Sequence, residues 1–287
     1  MANVVAKRTG PVKPAKIIGE VVRPQSNPSP EFEPGSATTA IFDRESSDAA
    51  KVLLAHLFAS GDRDIPGISY AVAYRLAELH TGGDIVDVYE FDNGAVALSI
   101  ADISGKGAQA AVHAALIKYG LRAYASHGLT PEKTIRAMDR LYLENSTFEN
   151  IESFASVFLG IVDSHRRVLT YSNAGHEPVI VVHPHLDPYL LRPTAPIIGV
   201  FDDQHHLFRQ ENIDLWPGSL LVATTDGVTE MKNPEGEFFG VERLMECVRH
   251  ARDAEPEDVV SAIVREVKFF SESPLRDDIA ILTARFA

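Results

Sequence analysis

Two periodicities divide the chain. Apolar residues recur at helical spacing over Ala50, Val52, Leu53, Leu54, Leu57 and Phe58, where Ser47-Asp48 can cap a helix reaching about Ser60. Helical patterns return from about Ala108 to His127, closed by Gly128, and from Pro131 to about Glu144, with proline at the first helical position. Two more follow at Val241–Ala251 and Glu257–Phe270. Elsewhere the period is two. Ile68–Ala77 reads as a strand, and from Ser153 onward Phe154–Val162, Arg167–Asn173, Val179–His183, Tyr189–Arg192, His206–Glu211 and Leu220–Thr225 follow as strands, with a last one at Asp278–Arg285. Short strands joined by short links imply antiparallel pairing. Pairs of helices flanking a β-rich middle imply an α+β fold, with helices packed on antiparallel sheets.

The stretch from Thr81 to Gly107 carries the strongest local signal. It predicts two strands joined by Asp92-Asn93-Gly94, a hairpin tripeptide between β-rich runs. If these three residues form the loop, with Gly94 in the left-handed conformation, Phe91 faces Ala95 and Asp84 falls opposite Asp102. Directly opposed side chains have Cβ atoms roughly 4.5–5.5 Å apart. Two carboxylates that close repel unless a cation lies between them. A two-residue loop would shift the register by one and send the two acids to opposite faces.

Two further acids sit at expected strand ends. Asp226 closes Leu-Leu-Val-Ala-Thr-Thr and precedes Gly227; Asp277 precedes the strand that opens at Asp278. Successive strand residues face opposite ways, so only one of Asp277 and Asp278 should reach a common site. Asp84, Asp102, Asp226 and Asp277 together form an all-oxygen set, which suits Mg²⁺ or Mn²⁺ rather than Zn²⁺. After Asp102 comes Ser104-Gly105-Lys106-Gly107, where glycine permits close approach to an ion or anion. The full phosphate-loop pattern Gly-x-x-x-x-Gly-Lys-Ser/Thr is absent, which excludes that nucleotide motif.

These residues, in this order, resemble the PPM family of metal-dependent protein phosphatases, in its bacterial SpoIIE/RsbU-like branch. The resemblance runs from about Ile68 to the C-terminus. It is carried by Gly82-Gly83-Asp84-x-x-Asp87, Ala101-Asp102-Ile103-Ser104-Gly105-Lys106-Gly107, Phe154-Ala155-Ser156, Asn173-Ala174-Gly175-His176, Pro196-Ile197-Ile198-Gly199, Thr225-Asp226-Gly227-Val228-Thr229-Glu230 and Asp277-Asp278-Ile279. The resemblance implies a four-layer α-β-β-α sandwich with two divalent cations, Mn²⁺ or Mg²⁺, at one edge of the sheets. It makes Asp102 the bridging ligand, the Ile103 carbonyl a further oxygen donor, Asp226 and Asp277 ligands of one metal, and Asp84 a ligand of the second. Asp87, Gly105, Gly227 and Asp278 stand behind them as supporting positions. The implied reaction is hydrolysis of phosphoserine or phosphothreonine by a water shared between the metals. The implied substrate is a small regulatory protein of the anti-anti-sigma-factor kind.

Charge and composition narrow the field. The chain has 287 residues, is 45% hydrophobic and carries a net charge of −13, which argues against nucleic acid or an anionic membrane as the main partner. No apolar run reaches the roughly 18–20 residues of a membrane span, and no secretory signal follows Lys7-Arg8. The single cysteine, Cys247, suits a reducing cytoplasm and reads as a buried thiol. Residues 1–40, with prolines from Pro11 to Pro34, read as a disordered tail. Residues 41–67 read as an N-terminal helix and linker, a possible homodimer contact, and 68–287 as the phosphatase domain. His176 reads as a residue that orients a turn rather than a proton donor. His183, His185, His205 and His206 fit no zinc spacing and read as solvated. No Asp-x-Asp stands at a parallel strand end, as an aspartyl-nucleophile phosphatase would need, and there is no EF-hand loop. The remaining alternative is a non-catalytic partner-switching module of the same fold, which the intact acids disfavour.

Overall fold

A computed structural model describes residues 38–41, 65–75, 83–105, 108–149, 153–201, 207–271 and 278–287. The helix expected at Ser47–Ser60 lies outside them. The strands are β1 (Thr38–Ile41), β2 (Ile68–Arg75), β3 (Ile85–Glu90), β4 (Val96–Ile103), β5 (Ala155–Asp163), β6 (Val168–Ala174), β7 (Val179–Val182), β8 (Tyr189–Leu191), β9 (Glu211–Asp214), β10 (Leu220–Thr224) and β11 (Ile279–Phe286). The helices are α1 (Ala108–Ser126), α2 (Pro131–Glu149), α3 (Asp226–Thr229), α4 (Gly240–His250) and α5 (Pro256–Ser271).

The strands form two sheets. One has the order β1-β2-β11-β10-β7-β8 and the other β3-β4-β5-β6-β9. Every pairing is antiparallel except β1 with β2, which is parallel. Helices α1 and α2 cover the outer face of the second sheet, and α4 and α5 that of the first. This is the α+β sandwich of four layers that the resemblance implied.

Strand parity sets what faces the middle. In β11, Ala280, Leu282, Ala284 and Phe286 join the core shared with the second sheet, while Ile279 and Ile281 pack under α4 and α5. In β3, Val86 faces the opposing sheet, where the Tyr74 hydroxyl of β2 donates to its carbonyl at 2.9 Å. Asp87, one residue on, faces α1.

The structure departs from the sequence reading at several places, β1 at the expected tail boundary among them. The edge strand lies at Glu211–Asp214, not His206–Glu211. Phe208 is core, and the Arg209 carbonyl accepts the Ser172 and Thr194 hydroxyls at 2.7 and 3.0 Å, so the backbone joins the ladder only from Glu211. Helix α2 runs on to Glu149, past the expected end at Glu144. His183 is buried, not solvated. Its Nδ1 meets Ser219 Oγ at 2.7 Å, its Nε2 meets the Tyr189 hydroxyl at 2.9 Å, and its ring stacks on Trp216. Cys247 is buried as expected, and burial pushes its thiol up to about 11, far from a reactive thiolate.

Candidate metal centre

The hairpin between β3 and β4 has the three-residue loop on which the opposition of acids depends. Phe91 N donates to Ala95 O at 2.8 Å, and Gly94 N donates back to Phe91 O at 2.9 Å. Gly94 has φ +79°, a conformation that a side chain would strain. The Asn93 side chain accepts the Ala95 N–H at 3.0 Å and locks the turn. The ladder then pairs Ile85 with Ala101. One further step in that register sets Asp84 opposite Asp102, on the face toward the other sheet.

That other sheet brings its own acids to the same edge. Strand β10 ends at Thr224, and Asp226 opens the single-turn helix α3 directly after it. Strand β11 starts at Ile279, just past Asp278, whose parity matches the core-facing Ala280. Asp84 is 6% exposed, and the Thr225 hydroxyl donates to its Oδ2 at 2.7 Å. Burial holds the Asp84 carboxyl well above the usual carboxylate range. The charges of Asp102, Asp278 and Asp226 push the same way, and the Thr225 hydrogen bond opposes them. No basic side chain among the described residues pairs with Asp84.

A buried carboxylate ringed by acids, with no cationic partner, is the chemistry of a hard-cation site. Asp84, Asp102, Asp226 and Asp278 come from both sheets to one edge, and the oxygen set suits Mg²⁺ or Mn²⁺. Among the described residues no three Asp, Glu, His or Cys side chains close tightly around a single point. Asp277, the ligand that the resemblance names, lies outside the described residues.

Two backbone contacts tighten the edge. A side chain at Gly83 would run into the Ile103 carbonyl oxygen, and one at Gly227 into the Asp278 carbonyl oxygen. Glycine at both positions lets neighbouring segments pack backbone to backbone where the acids meet. Gly105 lies two residues past Ile103, exposed, with φ +104°.

Asp87 does not join the acids. Its side chain leaves the opposite face of β3 and is buried against α1, where the Arg122 guanidinium grips both oxygens and Lys118 Nζ lies 3.5 Å from Oδ1. Residues three apart on a strand face opposite ways, so the sequence itself held the correction to a supporting role at the metals.

His176 follows β6 and is buried beside β5, the strand that pairs with β4. Ser156, paired with Asp102 across β5 and β4, meets His176 Nδ1 at 2.7 Å. The His176 N–H bonds the Asn173 side chain at 2.8 Å, closing the turn after β6. His176 is 2% exposed, and no hydrogen bond of good geometry reaches its Nε2. Burial pushes the imidazole down to about 3, with the Thr224 backbone acting against it. The turn is held through the His176 backbone, while the ring, kept neutral by burial, bonds Ser156.

Comparison with known proteins gives a consistent result. The Stage II sporulation protein E (SpoIIE) family model matches residues 92–287. Protein IcfG of Synechocystis sp. is 28% identical over 190 residues, covering 58% of this chain and 30% of that protein. Phosphoserine phosphatase RsbU of Bacillus subtilis is 25% identical over 202 residues, covering 69% of this chain and 58% of that one. The chain therefore spans less than two thirds of the length of either relative. Among solved structures, the SiaA-PP2C domain of Pseudomonas aeruginosa superposes with a TM-score of 0.66 at 22% identity, over 76% of this chain and 86% of that domain. The family match begins after Asp84, which the hairpin register sets opposite Asp102.

Proposed function

Because this chain belongs to the SpoIIE family, we propose that it is a metal-dependent protein phosphatase. It hydrolyses phosphoserine or phosphothreonine on a regulatory protein of the anti-anti-sigma-factor kind. The observation that carries this reading is the hairpin register, which opposes Asp84 to Asp102 at the edge where Asp226 follows β10. A relative that carries the name phosphoserine phosphatase supports the substrate class.

Asp102, Asp226 and Asp277 would hold one cation and Asp102 with Asp84 a second, with the Ile103 carbonyl as a further oxygen donor. Bound there, Mn²⁺ or Mg²⁺ supplies the acidified water and the positive charge that phosphoryl transfer to water requires. The chain supplies position. The two sheets fix the acids from opposite sides, and Thr225 holds Asp84 by one oxygen. Gly227 and Asp278 keep β11 close to α3. Ser156 and His176, hydrogen-bonded to each other beside Asp102, form a neutral pair that adds no charge. Neither Cys247 nor His176 serves as nucleophile or acid, because burial leaves the thiol protonated and the imidazole neutral.

The test is phosphate release from a phosphoserine-bearing regulator with Mn²⁺, with EDTA, and with Mn²⁺ restored. Activity that needs the metal and disappears in Asp102→Asn supports the reading. Activity that survives EDTA refutes it. A folded protein that binds the phosphoprotein without turning it over points to the partner-switching module instead.

A further inference from the structure

Thr225 is fully buried at the junction of three acid-bearing segments. Its hydroxyl donates to Asp84 Oδ2 at 2.7 Å and accepts the Ala280 N–H at 2.9 Å. Its own N–H donates to the Ala280 carbonyl at 3.1 Å, and Asp226 follows it in the chain. One side chain thus ties the entry of β3, the start of α3 and the start of β11. The direction of the hydroxyl proton is fixed by elimination. An amide N–H can only donate, so the Ala280 bond takes an oxygen lone pair and the single proton goes to Asp84. An ionised Asp84 can only accept, which matches. Oδ2 thereby gives one lone pair to Thr225, and the remaining lone pairs of the carboxylate would serve a cation. Valine has the same shape but offers neither donor nor acceptor.

We infer that Thr225 is a positioning residue for the metal site, holding the Asp84 carboxylate in the ligating orientation through its hydroxyl; this rests on the metal-phosphatase reading. Partners that orient a ligand in this way are worth about 10–100-fold in metal affinity.

The experiment measures Mn²⁺ binding to the purified chain by calorimetry, separately from phosphate release. Thr225→Val should weaken Mn²⁺ about tenfold or more, while Thr225→Ser, which keeps the hydroxyl, should stay within about threefold of the parent. A merely structural role is separated by repeating Thr225→Val in an Asp84→Ala background, which leaves the hydroxyl no side-chain acceptor at that position. There the added loss should shrink to less than about twofold, because the group through which Thr225 acts is gone. If Thr225→Val fails to fold by circular dichroism, Thr225→Cys carries the same comparison with a weaker donor. A folded variant that binds Mn²⁺ as tightly as the parent overturns the inference and leaves the phosphatase reading standing. So does an undiminished loss in the Asp84→Ala background. A parent chain that neither binds Mn²⁺ nor releases phosphate overturns both.

Discussion

Acidification should expose His176 in the stability of the fold. The imidazole titrates at about 3 in the folded chain against 6.5 when free. Between those values the unfolded chain binds a proton that the folded chain refuses, so stability rises with pH across this window and is lost as pH falls below about 6.5. At pH 5 the unfolded state gains RT ln(1 + 10^1.5), about 2 kcal/mol, and the folded state gains almost nothing. For a domain of this size that is a melting shift of about 4–8 °C. Acidic groups titrate in the same range, and Asp84, raised by burial, acts with the opposite sign. The informative quantity is therefore a difference. Urea unfolding of the parent and of His176→Gln, both in EDTA, is compared at pH 7.5 and pH 5. The parent should lose about 2 kcal/mol more than the variant over that interval. Any constant effect of the substitution, including its altered bond to Ser156, cancels. Parallel curves would refute the reasoning, because they would mean that the folded imidazole protonates as freely as the unfolded one.

Other substitutions test the site from different sides. Gly83→Ala drives a methyl into the Ile103 carbonyl, so Mn²⁺ affinity should fall about tenfold, by calorimetry, with a stability loss of about 1–3 kcal/mol. Asp87→Asn leaves Lys118, 1% exposed, without its carboxylate and should cost about 3 kcal/mol at pH 7 in chemical denaturation. Burial already lowers the Lys118 pKa, so that loss should shrink as pH rises and the ammonium gives up its proton; a loss independent of pH would assign the effect to packing. Asp277→Asn should abolish phosphate release, while Asp278→Asn, next to Asp84 but outside the implied ligand set, should reduce it about tenfold or less. The reverse order would make Asp278 the ligand.

What the sequence disclosed follows from how local each feature is. The opposition of Asp84 and Asp102 needed only a loop length and a period of two, and Asp92-Asn93-Gly94 supplied the first. Asp226 was visible because an apolar run ended on it. Thr225 was not, since its meaning lies in an amide 55 residues further on that meets the same hydroxyl. The motif sets Asp87 near the metals, whereas strand parity, equally local, sends its side chain to α1, where Arg122 grips it. His183 reads as polar in sequence, and only the meeting of Ser219, Tyr189 and Trp216 from separate segments buries it. The displaced edge strand has the same origin, because the hydroxyls that hold the Arg209 carbonyl belong to Ser172 and Thr194.

The acids stand on both lips of a seam. Asp84 and Asp102 belong to one sheet, and Asp226 and Asp278 adjoin the strands of the other. Without a cation, like charges press the lips apart, and the same charges clamp them once a cation is seated. A bound ion then works as a rivet through the sandwich as well as a reagent. Hydrogen exchange should register this as slowing on Mn²⁺ addition at Ile85 and Ala280, beside the seam. Amides at the far ends of the same strands, Glu90 and Phe286, should keep their rates. A metal seated there for the proposed chemistry would at the same time fasten one sheet to the other at that edge.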